Sequence, residues 1–216
     1  MTRLSLSRRL FVSAAPALAL AGSVAGTAAR AADAPPALPA NDPRMGPRII
    51  GNPNAKVLVQ EWFSLTCTHC AHFATEEFPK IKEKLIDTGK IRYQFHDFSG
   101  DRVGLTAAMV ARTLPEERYV PFIEALFSSQ MQWAFAAGGD PMQRLQQMSA
   151  LAGVSAAQFD AISKDNAFAE ALFDQVKKDA DTYNIQGTPY FRFNNTHYDQ
   201  DPETYEKFAD LVAKAS

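Results

Sequence analysis

Cys67 and Cys70 are the only two cysteines of the chain, and they stand two residues apart in Cys67-Thr68-His69-Cys70. That spacing suits a dithiol/disulfide pair when the first cysteine ends a strand-like run and opens a helix. A thiol at a helix N-terminus faces unpaired N–H groups and the positive end of the helix dipole, which favour the thiolate. His69 beside it is a cation or hydrogen-bond donor in reserve. Lowering a thiol pKa by ~3 units stabilises the thiolate by roughly 4 kcal/mol, which at ~1.4 kcal/mol per ~30 mV raises the reduction potential by about 90 mV. The spacing therefore points to an oxidising centre with Cys67 as attacking sulfur and Cys70 as resolving thiol. Glu61 lies six residues before Cys67, on the apolar strand face that also carries Val57, Val59 and Phe63. A lone carboxylate there is a candidate proton acceptor for Cys70, with a rim carboxylate in water as the plainer reading. A staple closing so short a loop would restrain little of the unfolded chain.

Other chemistries fit less well. A zinc site would need Cys67, Cys70 and His69 with one of His72, His96 or His197, and adjacent side chains of this kind cannot all converge, so no metal is expected. A cysteine hydrolase needs one nucleophile and a distant base, and the second cysteine argues against it. An exported binding module with a purely structural disulfide is the alternative outside catalysis. Asn194-Asn195-Thr196 matches a glycosylation acceptor, but a hairpin tip explains it better.

The elements around the dithiol read as α/β. Gly51-Asn52-Pro53-Asn54 is a dense turn signal before a strand from Lys56 to Phe63. After the cysteines a helix is expected to about Leu85, with Cys70, Phe73, Phe78, Ile81 and Leu85 inward and a kink at Pro79. A second strand is expected from Ile91 to Phe98. Four short helices follow, Leu105 to Leu114, Pro115 to Ser129, Pro141 to Ala152 and Ser155 to Ser163, with core stripes Phe122, Ile123, Leu126, Phe127 and Met142, Leu145, Met148, Leu151. Trp133 is read as core. A longer helix spans Asn166 to Tyr183, and Gly187-Thr188-Pro189 opens a strand from Tyr190 to Phe193. A hairpin turn at Asn194-Asn195 and a return strand from Thr196 come next, and a final helix runs from about Pro202 to Ala215 with Asp201 as its N-cap.

Composition adds a compartment. Hydrophobic residues make up 46% and charged residues 21% of the 216, an ordinary globular balance. Residues 1–31 differ: Ser7-Arg8-Arg9-Leu10-Phe11-Val12 is a twin-arginine sequence, an Ala-rich run follows, and Ala29-Arg30-Ala31 offers a cleavage site. The run is too diluted by Pro16, Gly22 and Gly26 for a membrane anchor. Losing Arg3, Arg8, Arg9 and Arg30 would take the formal charge from −2 to about −6, so no nucleic-acid partner is expected. Residues 32–47 are Pro/Ala-rich and read as a flexible arm. The rest divides into a sheet domain at 48–100 and 165–216, interrupted by an all-helical insertion at 101–164.

Glu61-Trp62-Phe63-Ser64-Leu65-Thr66-Cys67-Thr68-His69-Cys70-Ala71-His72-Phe73, the inserted helices and Gly187-Thr188-Pro189-Tyr190-Phe191 together resemble the DsbA family of periplasmic thiol:disulfide oxidoreductases, over about residues 45–216. The resemblance implies a thioredoxin fold with an inserted helical subdomain and no cofactor beyond a Cys67–Cys70 disulfide. It also implies a nucleophilic Cys67, a resolving Cys70, a thiolate-stabilising His69, and a cis Pro189 that with Thr188 faces an extended substrate. The implied clients are reduced exported polypeptides, and the implied partner is a quinone-linked membrane oxidase of the DsbB type. Thr68 and Thr188 depart from the best-known members at positions that tune the pair, which leaves a reductase or isomerase open. Family isomerases carry an N-terminal dimerisation domain for which the short arm leaves no room, so a monomer is expected. Export by the twin-arginine route predicts that replacing Arg8 and Arg9 with Lys retains the precursor inside the cell, read by fractionation; unimpaired export would contradict it.

Overall fold

Two parallel strands carry the centre of the sheet, β2 (Val57–Phe63) and β3 (Ile91–Asp97), paired in register from Val57↔Ile91 to Phe63↔Asp97. In the computed structural model, which describes residues 37–198, 202 and 204–216, the strand order is β1-β3-β2-β4. β1 (Arg48–Gly51) runs antiparallel to β3, and β4 (Tyr190–Phe193) runs antiparallel to β2. Alternation along β2 and β3 sends Val57, Val59, Glu61 and Phe63 to one face with Ile91, Tyr93 and Phe95. On that face they meet Phe73, Phe78 and Ile81 of the helical run after the cysteines, and Phe208 of α9 (Tyr205–Ala215).

The helical run is not one regular helix. α1 (Thr68–His72) passes into a π turn at Phe73–Glu77, then α2 (Phe78–Ile81), then a second π turn at Lys82–Ile86. Pro79 cannot donate a backbone bond, and the first π turn, closed by Phe78 N–H to Phe73 O, accommodates it just where a kink is expected. The inward set Cys70, Phe73, Phe78, Ile81 and Leu85 is buried throughout. Between β3 and α8 (Asn166–Tyr183) lie α3 (Arg102–Thr113), α4 (Glu116–Ser128), α5 (Gln130–Trp133), α6 (Pro141–Leu151) and α7 (Ala156–Ser163). These helices and the sheet form one compact unit from Pro35 to Ser216.

Several expectations need correction. β1, at the start of the expected sheet domain, is a strand the sequence pattern does not announce, because four residues leave no periodicity to detect. Residues 42–46 of the expected flexible arm are held in place: Arg44 donates to Asp42 and to Asp165 at 2.7–3.2 Å and lies 4.1 Å over the Phe168 ring. The short α5 carries no periodic signal in the sequence. Phe193 and Thr196 make a single β-bridge in place of a return strand, and Thr204, not a residue before Pro202, caps α9. Asp201 lies outside the described residues, as does the whole expected export signal. Leu151 is 85% exposed although its spacing from Leu145 and Met148 predicts a core stripe. Residues spaced by three drift around a helix, so the stripe that buries Leu145 leaves Leu151 on another side. Trp133 is core, its indole N–H donating to the Leu126 carbonyl at 2.7 Å.

A buried polar cluster joins the helices to the sheet. Arg112 of α3 pairs with Asp97 at the end of β3 and donates to the carbonyls of Arg44 at 2.9 Å and Gly46 at 3.1 Å. Tyr119 of α4 donates to the same Asp97 carboxylate at 3.2 Å, and Arg48 donates to the Arg112 carbonyl at 2.9 Å. Removing one partner of a buried pair strands the other charge. Asp97→Ala is therefore expected to destabilise the fold by about 3–5 kcal/mol, measured by denaturant unfolding; a loss below about 1 kcal/mol, the scale of an exposed pair, would show that water reaches the cluster.

Candidate active site: the Cys67–Cys70 dithiol

β2 ends at Phe63, and the chain turns through Ser64 to Cys67, closed by Cys67 N–H to Ser64 O at 3.0 Å. Cys67 keeps extended backbone angles (φ −85°, ψ 121°) and is the N-cap of α1, its sulfur accepting the Cys70 N–H at 3.3 Å. Here a cysteine sulfur does what a Ser or Asp oxygen does at most helix starts. Opposite it, the thiol lies 3.3 Å from the Thr188 carbonyl, on the residue whose peptide bond to Pro189 is cis. Pairing of Glu61 with Phe191 and of Trp62 with Tyr190 brings that carbonyl, distant in sequence, to the dithiol.

The two sulfurs differ sharply. Cys67 is half-buried, and its thiol is lowered from 9.0 to about 5, first by the hydrogen bond from Cys70 and then by the Thr188 side chain and the N–H groups of Cys70 and His69, against a desolvation that opposes them. Cys70 is fully buried, and desolvation first, then its bond to Cys67 and the charges of Cys67 and Glu61, push its thiol far above the ordinary range. An ionised, accessible sulfur thus stands beside a protonated, shielded one. That is the asymmetry a two-step exchange uses, since the thiolate is the nucleophile and the low-pKa sulfur the better leaving group.

Glu61 sits beneath the pair and is 4% exposed, so it is no rim carboxylate. Burial raises it from 4.5 to about 7; the Tyr93 hydroxyl, donating at 2.8 Å, opposes that rise, and the Cys67 charge adds to it. A carboxyl that titrates near neutrality can take a proton from one sulfur site and return it. Tyr93 lies within the strand expected from Ile91 to Phe98, and its spacing there carries no hint of a polar task.

His69 is placed differently from a partner lying on the sulfur. Its imidazole is exposed and, with His72, Phe73, Thr188, Pro189, Phe191 and Pro202, lines a groove of about 460 Å³ beside the dithiol. His69 acts on Cys67 through its main-chain N–H. His96 and His197 lie apart from the sulfurs. His96 stacks on Trp62 at 4.2 Å on the opposite sheet face, held near-neutral by burial that lowers it to about 4 despite nearby Asp179 and Asp97. His197 stacks on Tyr190 at 4.1 Å. Among the described residues no cluster of His, Cys, Asp and Glu is arranged to hold a metal ion.

Further contacts anchor the turn, from the segment that leads from β3 into α3 and from α5. Thr66 donates to Asp101, which also caps α3 through Gly104 N–H, and Ser64 lies within bonding distance of Ser99 at 3.3 Å. Gln130 of α5 donates to the carbonyls of Leu65 and Cys67, both at 2.9 Å.

Removing the Tyr93 hydroxyl leaves Glu61 with burial and the facing Cys67 charge, both of which favour its neutral form. Tyr93→Phe is therefore expected to raise the Glu61 midpoint above about 7, by about one pH unit, followed by the carboxyl infrared band across pH; an unmoved or lowered midpoint would mean the hydroxyl does not stabilise the carboxylate.

A thioredoxin family model matches residues 44–214. A provisionally named protein-disulfide oxidoreductase of Rickettsia felis is 31% identical over 147 residues, covering 68% of this chain and 52% of that protein. The chain thus spans about half the length of the Rickettsia relatives it matches. Disulfide bond formation protein D of Bacillus subtilis is 27% identical, covering 75% of this chain and 77% of the other. Among solved structures, Wolbachia pipientis alpha-DsbA1 superposes with a TM-score of 0.68 at 30% identity, over 79% of this chain and 91% of that one. With the Cys67–Cys70 geometry on the same scaffold, the chain belongs to the thioredoxin family, in its DsbA-like branch.

Proposed function

We propose that this protein is an exported thiol:disulfide oxidoreductase that gives its Cys67–Cys70 disulfide to reduced polypeptides. The observation that carries the reading is the split between the two sulfurs, Cys67 at about 5 and Cys70 far above the ordinary thiol range. At neutral pH a reduced Cys67 is a thiolate, and whatever stabilises the thiolate disfavours the disulfide, which makes the pair a donor. The related oxidoreductases and the disulfide bond formation protein support the same class of reaction.

In the forward direction a client thiolate attacks Cys67 Sγ, the Cys67–Cys70 bond breaks, and Cys70 leaves with the electron pair. Cys70 is too buried to stay charged, and the protonated form of Glu61 is the donor that neutralises it. A second client thiolate then attacks the client sulfur of the mixed disulfide and expels Cys67 as a stable thiolate. The client loses two electrons and the pair gains them, so the cycle needs an external oxidant, for which a quinone-linked membrane protein of the DsbB type is the proposed source. His69 and its neighbours in the groove, with Thr188 and Pro189, are the proposed contacts for an extended client chain, whose backbone the Thr188 segment can pair. No cofactor beyond the disulfide enters this scheme.

Given a peptide whose thiol is disulfide-bonded to glutathione, Cys70→Ser is expected to accumulate the Cys67–peptide mixed disulfide, its thiolate attacking the peptide sulfur and expelling glutathione thiolate, and Cys67→Ser to form none, read on non-reducing gels after acid quenching. The wild-type pair trapped in cells should be mostly oxidised; a mostly reduced pair would turn the reading to a reductase or isomerase, and absence of any mixed disulfide would end it.

A further inference from the structure

Gln130 opens α5, a four-residue helix that lies far from the dithiol in sequence and beside it in space. Its side chain is 2% exposed, and its amide nitrogen spends both hydrogens on one short piece of backbone, the carbonyls of Leu65 and Cys67. We propose that Gln130 is a positioning residue for thiol–disulfide exchange, clamping the turn that carries Cys67 so that its sulfur stays on the Cys70 N–H and against Thr188.

The turn has little else to hold it on that side. Leu65 is fully buried, so its carbonyl cannot turn to water, and Gln130 is the hydrogen-bond donor that reaches it. The Cys67 carbonyl already accepts the first intrahelical bond from Ala71 N–H at 3.1 Å and takes Gln130 on its second lone pair. Two donors fixed on one planar amide and shared between carbonyls two residues apart leave the intervening peptides little freedom to rotate. The Thr66–Asp101 and Ser64–Ser99 contacts add to the grip. The extended backbone at Cys67 is what points Sγ at Cys70 N–H and the Thr188 carbonyl, each 3.3 Å away. Letting that peptide rotate would carry the sulfur off the Cys70 N–H, the donor that stabilises its thiolate. Leu or Met would fill the volume without the donors, and a carboxylate would meet two carbonyl oxygens, so the site is built for a carboxamide.

The proposal rests on Cys67 as the attacking sulfur, and it is read without any client. Thiolate absorbance of the reduced protein across pH gives the Cys67 midpoint. Gln130→Met, which keeps the volume and deletes both donors, is expected to raise that midpoint by about one pH unit while circular dichroism stays native. Trp133→Phe, which removes a buried hydrogen bond from the same short helix without touching the turn, is expected to leave the midpoint in place. An unmoved midpoint in folded Gln130→Met, or an equal rise in Trp133→Phe, would overturn the clamp. Should Gln130→Met not fold, the wild type still decides. The Gln130 carboxamide proton resonances should exchange slowly with solvent and shift with the Cys67 titration, and fast exchange or flat shifts would overturn it. A wild type that exchanges no disulfides would defeat the proposed function yet leave this comparison intact.

Discussion

The Cys67 sulfur has to satisfy two neighbours at once. It caps α1 by accepting the Cys70 N–H, and it stands against the Thr188 carbonyl at the same distance of 3.3 Å. Meeting both depends on β2 delivering the turn at a set height above the sheet and on β4 pairing with β2 so that Thr188 arrives opposite. The parallel β2–β3 ladder fixes the first, and the antiparallel β2–β4 ladder fixes the second. A one-residue slip in either would turn every side chain over and carry Glu61 to the wrong face. The helices after β3 act on the same turn from the side, through Asp101 and Gln130.

Electrostatic order on the dithiol face follows from depth. Cys67, half-buried and surrounded by donors, favours the anion; Cys70, one turn deeper, favours the neutral thiol; Glu61, deeper still, lies near neutrality. Hydrogen-bond donors win at the surface, and desolvation wins beneath it. The other sheet face holds a second polar group, Trp62 donating to Asp179 at 2.8 Å with His96 stacked on the indole, but there the groups satisfy one another. Asp179 also accepts from Gln175 at 2.7 Å, so its burial is paired on both oxygens. That cluster anchors α8 to the sheet and lies apart from the sulfurs.

Much of the scaffold is legible from local pattern. The span of α8, the strand Tyr190–Phe193 and the inward set after the cysteines follow from apolar spacing and from Gly and Pro punctuation, because those signals act within a turn or two of chain. Pattern fails where an element is too short to repeat, as at β1 and α5, and where drift around a helix is ignored, as at Leu151. It also misreads polar residues in the N-terminal arm, whose order comes from Asp165 and Phe168 far along the chain.

The sequence by itself determined the dithiol: two cysteines at this spacing, a strand before them, a helix after, and a carboxylate six residues upstream on the inward face. Only the tertiary structure decided what those groups feel. Tyr93 reaches Glu61 across 32 residues, Gln130 reaches Cys67 across 63, and Thr188 reaches it across 121. Each such contact exists because sheet pairing and helix packing bring distant segments within 3–4 Å, and a linear pattern carries no measure of that distance. Residue type sets what a sulfur or a carboxyl can do; burial and the donors that fold around it set the pH at which it does so.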